Sequence, residues 1–245
     1  MQRYFVSNKE NDTYILNQDD SHHIINVMRM NINDEIEVVY DSKLYICSII
    51  SMDNLVKCKQ IREIETSFNN IPKVIIAQSL VKEQKMDYIL QKSCELGVTE
   101  LIPLITTRSI IKVDKNDNKK VSRWQKILKE ASEQSKRIDI PNVSNIMDLK
   151  DLVNVNAKYK FVCSVKEKSK TIKSILSNVN NSDTILFVIG PEGGLDNYEE
   201  EFLINNGFIS ITFGNNVLRT ETASSFILSV INYEFMRWYY VRTFK

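Results

Sequence analysis

The chain has 245 residues but only six glycines, and five of the six lie between positions 190 and 214. These five are Gly190, Gly193, Gly194, Gly207 and Gly214. Glycine weakens ordinary helices and strands, but it is useful where the backbone needs a positive φ or must approach a ligand closely. Because glycine is almost absent elsewhere in the chain, its concentration between positions 190 and 214 indicates a ligand-binding region. A cluster of tight turns would produce the same pattern.

Two glycine-containing loops each follow a predicted strand and precede a predicted helix. The first reads Gly-Pro-Glu-Gly-Gly from Gly190, and the second reads Gly-Asn-Asn-Val-Leu-Arg-Thr-Glu-Thr from Gly214. Neither loop has the GxGxxG of dinucleotide-binding folds or the Gly-Lys-Ser/Thr of a P-loop, which disfavours dehydrogenases and P-loop NTPases. In open α/β sheets, ligands bind beyond the carboxyl ends of the strands. We therefore expect these loops to hold a flat heterocycle through main-chain hydrogen bonds.

The order of the predicted elements divides the chain into two domains, 1–70 and 71–245. The first reads as short strands with period-two alternation and one short helix, which is typical of a small β-barrel. The second alternates strands with helices, which indicates an α/β domain with a mostly parallel sheet. The turn-rich segment 66–72 is the predicted linker. The predicted strands are 3–6, 13–17, 35–40, 44–50, 55–62, 74–77, 101–105, 159–165, 184–189 and 208–213, and the predicted helices are 19–29, 82–96, 121–136, 196–205 and 222–238.

The composition sets limits on location and chemistry. The four cysteines are far apart and form no CxxC pair, which predicts free thiols in a reducing compartment and no metal site. No apolar run is long enough to span a bilayer, and the first residues lack the apolar core of a signal peptide. We therefore expect a cytoplasmic protein that is not bound to a membrane.

Charge is nearly balanced over the whole chain but uneven along it. The net charge is +1, which gives no general argument for a nucleic-acid coat protein. Residues 108–137, however, contain ten Lys or Arg against four acids, while residues 1–70 have a net charge of −4. The basic stretch suits a polyanion such as RNA, and a solvated helix face explains it equally well.

Five ordered motifs resemble one known family. They are the loop 190–194, the sequence Phe-Gly-x-x-Val-Leu-Arg-Thr-Glu-Thr-Ala at 213–223, the N-terminal residues 3–5 with 22–29, the segment 77–98, and the segment 130–141. Together they resemble the RsmE family of 16S ribosomal RNA uridine-N3 methyltransferases. Two positions depart from the family pattern: Phe213 replaces the usual Leu, and Lys136 replaces the usual Gly.

The resemblance implies a fold, a cofactor and partners. The fold is α/β, with a C-terminal SPOUT-type knotted parallel-sheet domain and a small N-terminal PUA-like β-barrel. The cofactor is S-adenosyl-L-methionine, and the RNA partner is 16S ribosomal RNA or the small ribosomal subunit. The family also implies a homodimer, to which an apolar seam and an aromatic tail would contribute. Those residues are Ala223, Phe226, Ile227, Val230, Ile231, Phe235, Trp238, Tyr239, Tyr240 and Phe244.

The resemblance also assigns roles to individual residues. The expected cofactor contacts are Gly190, Pro191, Glu192, Gly193, Gly194, Phe213, Gly214, Val217, Leu218 and Thr222. Arg219 is the candidate catalytic cation, since its fork can pair with a uracil carbonyl or a phosphate. Glu221 is expected to orient Arg219, to accept the uridine proton or to cap the last helix. The expected RNA contacts are Arg3, Arg29, Lys82, Arg108, Arg123, Lys126 and Arg137.

Two other functions remain open at this point. A SPOUT-class ribose 2′-O-methyltransferase uses the same cofactor, but the N-terminal barrel and the Arg-Thr-Glu-Thr sequence fit the base-modifying family better. A non-catalytic RNA-binding factor for ribosome assembly is the alternative outside catalysis, although the intact glycine loops argue against it. His22 and His23 are the only histidines, and we expect a structural or RNA-contacting role for them.

Overall fold

The structure is a computed structural model that describes residues 1–66 and 71–235. These residues fall into two compact units. The first unit contains residues 1–66 together with 129–140, and the second contains residues 71–128 and 141–235. Part of the predicted linker and the tail residues Trp238, Tyr239, Tyr240 and Phe244 lie outside the described residues.

The first unit is built on a curled six-stranded sheet. Its strands are β1 (Arg3–Phe5), β2 (Asn8–Glu10), β3 (Thr13–Ile15), β4 (Glu35–Tyr40), β5 (Lys43–Ser51) and β6 (Lys57–Ile64), in the order β1-β4-β5-β6-β3-β2. All neighbouring pairs are antiparallel except β1 and β4. Two register shifts between β5 and β6 help to bend the sheet. Its concave core includes Tyr4, Tyr14, Leu16 and Ile36, all completely or almost completely buried.

The predicted helix 19–29 is shorter and less regular than the sequence indicates. Helix α1 (Gln18–His22) begins after Asn17, whose side chain accepts a hydrogen bond from the Asp20 amide. It continues as a π-helical segment, His23–Val27. The Tyr4 hydroxyl lies 2.9 Å from Nδ1 of His23, which therefore has a structural contact in this unit.

The second unit contains a parallel sheet, as predicted, and this sheet has six strands. Its strands are β7 (Lys73–Ser79), β8 (Glu100–Leu104), β9 (Asn142–Val143), β10 (Tyr159–Cys163), β11 (Thr184–Ile189) and β12 (Ile209–Ile211), in the order β12-β10-β11-β7-β8-β9. The near-continuous apolar run of β11 is buried because this strand pairs on both sides, with β10 and β7.

Six helices accompany this sheet. They are α2 (Glu83–Glu95), α3 (Asn118–Gln134), α4 (Leu149–Leu152), α5 (Ile172–Leu176), α6 (Asn197–Asn205) and α7 (Thr220–Phe235). The last part of α3, from Lys129, belongs to the first unit. Asp196 and Glu199 form the capping box predicted at the start of α6. Helix α7 begins two residues earlier than predicted. None of the described helices is long and apolar enough to cross a membrane.

Candidate active site

A cavity of about 450 Å³ opens at the carboxyl ends of β10, β11 and β12. We call residues 190–195 the first loop and residues 213–219 the second loop; both line this cavity. Nine of the ten residues expected to contact the cofactor lie in its wall: Gly190, Pro191, Glu192, Gly193, Gly194, Phe213, Gly214, Val217 and Leu218. The tenth, Thr222, is exposed in the first turn of α7 and is not among the lining residues.

The first loop makes a turn that is too tight for a side chain at its start. The Gly194 amide donates to the Pro191 carbonyl at 2.9 Å, which closes the turn. A Cβ atom placed on Gly190 would lie 2.9 Å from the backbone nitrogen of Leu195. Because that neighbour is backbone, only glycine fits at this position without a shift of the loop.

Thr220 joins the two loops. Its hydroxyl donates to the Gly190 carbonyl at 2.8 Å and accepts a hydrogen bond from Nε2 of Gln78 at 2.9 Å. Gln78 is completely buried near the end of β7. The central strand, the first loop and the start of α7 are therefore held together by one short chain of hydrogen bonds. The sequence analysis assigned no role to either residue, although a glutamine in an apolar strand is a signal of such a role.

Arg108 supports the first loop from the outside. Its Nη1 atom donates to the Gly193 carbonyl at 2.7 Å and to the Leu195 carbonyl at 3.3 Å. The neighbouring Thr107 amide donates to Glu199 at the start of α6, at 2.6 Å. The segment before α3 therefore braces the loop, and the guanidinium expected to contact RNA is engaged with loop carbonyls.

Lys85 in the first turn of α2 binds two carboxylates at the edge of the cavity. Its Nζ atom lies 3.0 Å from Oε1 of Glu192 and 3.6 Å from Oε2 of Glu221. The hydrogen bond that Lys85 donates to the Glu192 carboxylate is the main cause that raises the pKa of Lys85. Burial opposes ionisation of Glu192, but its own backbone amide and Lys85 outweigh that effect and lower the pKa of Glu192. Lys85 could not be found from the sequence, because its partners are more than a hundred residues away in the chain.

Glu221 is therefore paired with Lys85, and no described contact joins it to Arg219. Oε2 of Glu221 is buried and has no hydrogen-bond partner among the described residues. The carboxylate also lies in the first turn of α7, where the helix dipole favours a negative charge. Arg219, by contrast, is exposed and lines the cavity.

Comparison with known proteins places the chain in a family. Residues 69–232 match the RNA methyltransferase domain, and residues 16–59 match the RNA methyltransferase PUA domain. Ribosomal RNA small subunit methyltransferase E of Bacillus subtilis (strain 168) is 36% identical, with 96% of this chain and 97% of the relative covered. This chain belongs to the ribosomal RNA small subunit methyltransferase E family. The same enzyme of Mesomycoplasma hyopneumoniae (strain 232) is 31% identical, covering 94% of this chain and 98% of the relative.

Solved structures of methyltransferase E relatives have the same fold. Ribosomal RNA small subunit methyltransferase E from Neisseria gonorrhoeae, bound to S-adenosyl methionine, is 28% identical with a TM-score of 0.84, covering 96% of this chain and 98% of that one. A methyltransferase from Legionella pneumophila in complex with SAM is also 28% identical, with a TM-score of 0.87 and coverage of 95% and 97%. The predicted combination of a PUA-like N-terminal sheet with a parallel-sheet methyltransferase domain is confirmed.

The one position where this methyltransferase E chain carries Lys instead of the usual Gly adopts a left-handed backbone. Lys136 has a φ of +61°, a region that glycine enters most easily. Its ammonium lies 3.1 Å from Oε2 of Glu37 in the same unit. Lys136 thus adopts a backbone conformation that suits glycine, and its side chain adds an ion pair.

Arg3 is buried in the first unit, although it was expected to contact RNA. Its Nε atom lies 2.8 Å from Oε2 of Glu37, and its Nη1 atom donates to the carbonyls of Lys136 and Arg137. A guanidinium used in this way holds the segment after α3 against the sheet. This placement speaks against a direct phosphate contact by Arg3.

The other residues expected to contact RNA differ in their ion pairs and in their exposure to solvent. Arg123 forms ion pairs with Asp87 and Glu83, and Arg137 pairs with Asp139 at 2.7 Å. The three remaining residues are exposed: Arg29, Lys82 and Lys126.

The apolar seam of α7 is only partly free. Ala223, Ile227 and Ile231 are buried within the second unit, whereas Phe226 and Val230 are half-buried. The Phe226 ring packs edge-on against Phe213 of the second loop, with the ring centres 5.3 Å apart.

Proposed function

We propose that this protein uses S-adenosyl-L-methionine to methylate N3 of a specific uridine in 16S ribosomal RNA of the small ribosomal subunit. The observation that carries the proposal is the cavity formed jointly by the two glycine loops, in a chain that belongs to the methyltransferase E family. We assign RNA recognition to residues 1–70 and methyl transfer to a SPOUT-type domain, 71–245, whose C-terminal part forms a trefoil knot.

The residues of the cavity fit the cofactor. Its volume of about 450 Å³ lies in the usual range for a small-molecule site. Gly190 and Gly214 line the cavity without side chains, so a ligand can contact their backbone directly. Gly214 has a φ of +113°, a conformation that favours glycine. Val217 and Leu218 supply apolar surface for an adenine ring, and Val217 is 76% exposed. We therefore assign adenosine binding to the two loops, with Pro191, Glu192, Gly193, Gly194 and Phe213 completing the wall.

The chain's own residues must favour the loss of the N3 proton and hold the base in line. When bound, S-adenosyl-L-methionine supplies an electrophilic methyl group. The uridine N3 atom is a weak nucleophile until it is deprotonated, so a cation beside the developing charge lowers the barrier. Arg219 is exposed at the cavity and is our candidate for that cation.

We assign Glu221 a positioning role through Lys85. Lys85 holds Glu221 at the start of α7 and Glu192 in the first loop. Two carboxylates near the cavity would oppose formation of a uracil anion, and the Lys85 ammonium offsets part of that charge. The Lys85 contacts also fix the end of the second loop, which carries Arg219.

The test is the modification state of the RNA. 16S ribosomal RNA from a strain that lacks the gene is expected to lose one 3-methyluridine, detected by mass spectrometry of mapped fragments. The purified protein with S-adenosyl-L-methionine is expected to restore it on small subunits from that strain. Loss of a 2′-O-methylribose in its place would indicate the ribose enzyme. An unchanged RNA, with no cofactor binding by calorimetry, would indicate a non-catalytic factor.

Assembly and location complete the proposal. We propose a homodimer, because closed two-fold dimers are the commonest assembly and α7 presents partly exposed apolar side chains. We also propose that the protein works in the cytoplasm, where ribosomal subunits are available as substrates.

A further inference from the structure

One segment at the rim of the cavity carries a concentration of positive charge that the sequence analysis did not single out. Residues 164–173, which follow β10 and which we call the lysine loop, contain four lysines and one acid. The lysines are Lys166, Lys168, Lys170 and Lys173. This local charge of +3 contrasts with +1 for the whole chain. Lys166 and Lys168 line the same cavity as the two glycine loops.

The single acid of the lysine loop is used to shape it. Oε1 of Glu167 accepts hydrogen bonds from the amides of Lys168 at 2.8 Å, Ser169 at 2.7 Å and Lys170 at 3.2 Å. The Ser169 amide and hydroxyl and the Lys170 and Lys168 amides lower the pKa of Glu167 to about 2, so it stays ionised at neutral pH. The Lys170 carbonyl accepts from the Thr212 amide at 2.8 Å, which anchors the loop beside the end of β12.

Three of the four cations remain available to a partner. Lys166 is engaged, because its ammonium lies 3.0 Å from Glu200. Lys168, Lys170 and Lys173 are exposed and form no ion pair within residues 1–66 and 71–235, and the Lys168 ammonium donates one hydrogen bond, to the Val165 carbonyl at 3.3 Å. In the basic stretch 108–137, at least five of the ten cations are paired with acids: Lys115, Arg123, Lys129, Lys136 and Arg137. The lysine loop therefore keeps a larger share of its positive charge outside ion pairs than the basic stretch does.

Apolar surface adjoins these cations. Val165, at the start of the lysine loop, is 62% exposed, and Val217 of the second loop is 76% exposed. Both side chains belong to the wall of the cavity. An exposed apolar side chain can contact a base while neighbouring cations bind the phosphates of the same nucleotide.

We propose that the lysine loop binds the phosphates on either side of the target nucleotide and that Val165 contacts the base as it enters the cavity. This inference rests on the proposed function, because it takes RNA as the substrate. A base that enters the cavity brings its own phosphate to the rim, where Lys168 lies, two residues before Lys170 in the same loop. Phosphate contacts of this kind give affinity and register, and they contribute nothing to the chemical step.

The test compares two triple variants, one that removes the three charges and one that keeps them. One replaces Lys168, Lys170 and Lys173 with Ala, and the other replaces the same three residues with Arg. Binding is measured at several salt concentrations to small ribosomal subunits from the deletion strain and to 16S RNA extracted from them. Cofactor affinity is measured by calorimetry for each variant.

The Ala variant is expected to bind RNA more weakly, with a salt slope smaller by about 0.7 to 0.9 for each lost contact, and to bind S-adenosyl-L-methionine normally. The Arg variant is expected to match the wild type. An unchanged slope and affinity in the Ala variant would overturn the inference. So would a selective loss of cofactor affinity, since the lysines would then hold the cofactor's carboxylate. Failure of the proposed function is distinct, because the wild type itself would then fail to restore 3-methyluridine to small subunits from the deletion strain.

Discussion

Arg219 and the basic residues of α3 have similar charges but different expected roles. Arg219 is exposed at the wall of the cavity. If it stabilises charge in the transition state, Arg219→Ala should lower the single-turnover methylation rate at saturating RNA by roughly 100-fold, as expected for the loss of one such donor. The salt dependence of RNA binding should stay nearly unchanged. Lys126→Ala is the control, and it should spare the saturated rate. A wild-type rate for Arg219→Ala would remove the catalytic assignment.

Lys85 allows a test of positioning. Lys85→Met leaves Glu192 and Glu221 without their shared cation, and both contacts are partly exposed, so we expect a modest loss of activity. The loss should appear mainly in the methylation rate, because the contact between Lys85 and Glu221 no longer holds the start of α7 and the end of the second loop. Lys85→Arg should recover most of the loss. Equal rates for Lys85→Met and the wild type would show that the cluster has no positioning role.

At the level of residues, the sequence predicted positions that are close together in the chain. Nine expected cofactor residues line one cavity because they belong to two short loops with recognisable motifs. The contacts that were missed join distant positions: Gln78 bonds to Thr220, and Lys85 pairs with Glu192. Arg3 was expected to contact RNA because its partner, Glu37, is distant in the chain and could not be recognised from the sequence.

The first loop offers a matched pair of glycines as a test at the level of an element. Gly190→Ala places a methyl group 2.9 Å from backbone, whereas Gly193→Ala meets only the flexible side chain of Arg108 at 3.4 Å. We expect Gly190→Ala to weaken cofactor binding at least tenfold by displacing the loop, and Gly193→Ala to change it less than threefold. Calorimetry with S-adenosyl-L-methionine measures both. Similar affinities for the two variants would contradict this account of the turn.

Helix α3 carries a buried charge cluster in its last part. Glu133 lies 3.3 Å from Lys129, which also binds Asp20 at 2.6 Å. Burial raises the pKa of Glu133 to about 7, against the opposing effect of Lys129. A carboxyl whose pKa is higher in the folded state stabilises the fold while protonated, so this contribution is lost as the pH rises from about 4.5 to about 7.

Glu133→Gln removes that pH dependence. The free energy of unfolding of the variant, relative to the wild type, should therefore increase between pH 5 and pH 8, by at most about 3 kcal/mol. Urea unfolding at the two pH values measures the difference, and Glu130→Gln, an exposed position on the same helix, is the control. A difference that is constant with pH would mean that Glu133 is ionised throughout.

Among the elements, those with apolar runs or capping residues were the ones that the sequence could predict. The buried strands β7 and β11 have continuous runs of β-branched residues, and α6 has its capping box, so these were located closely. Strands β2 and β9 and helices α4 and α5 have only two to five residues, too few to show a period, and were missed.

At the scale of the whole molecule, the sequence predicted two domains in order along the chain. The structure adds that residues 129–140 belong with the N-terminal unit, so the chain returns to that unit after entering the second. A change of composition in the sequence indicates where the chain leaves the first unit. The chain returns to that unit within one continuous helix, α3, and no change of composition indicates this return. Long-range pairs such as Lys129 with Asp20 reveal it only in three dimensions.

The last prediction concerns assembly. We expect a dimer of about 57 kDa by light scattering, twice the chain mass of 28.5 kDa. Val230 on α7 is half-buried within its own unit and is therefore available to a partner, whereas Ser229 beside it is exposed on another face of the helix. Val230→Asp should bury an unpaired charge in the interface, shift the protein toward the monomer and lower methylation along with it. Ser229→Asp should leave both unchanged. A wild-type protein that is monomeric and fully active would exclude a site completed by a second subunit.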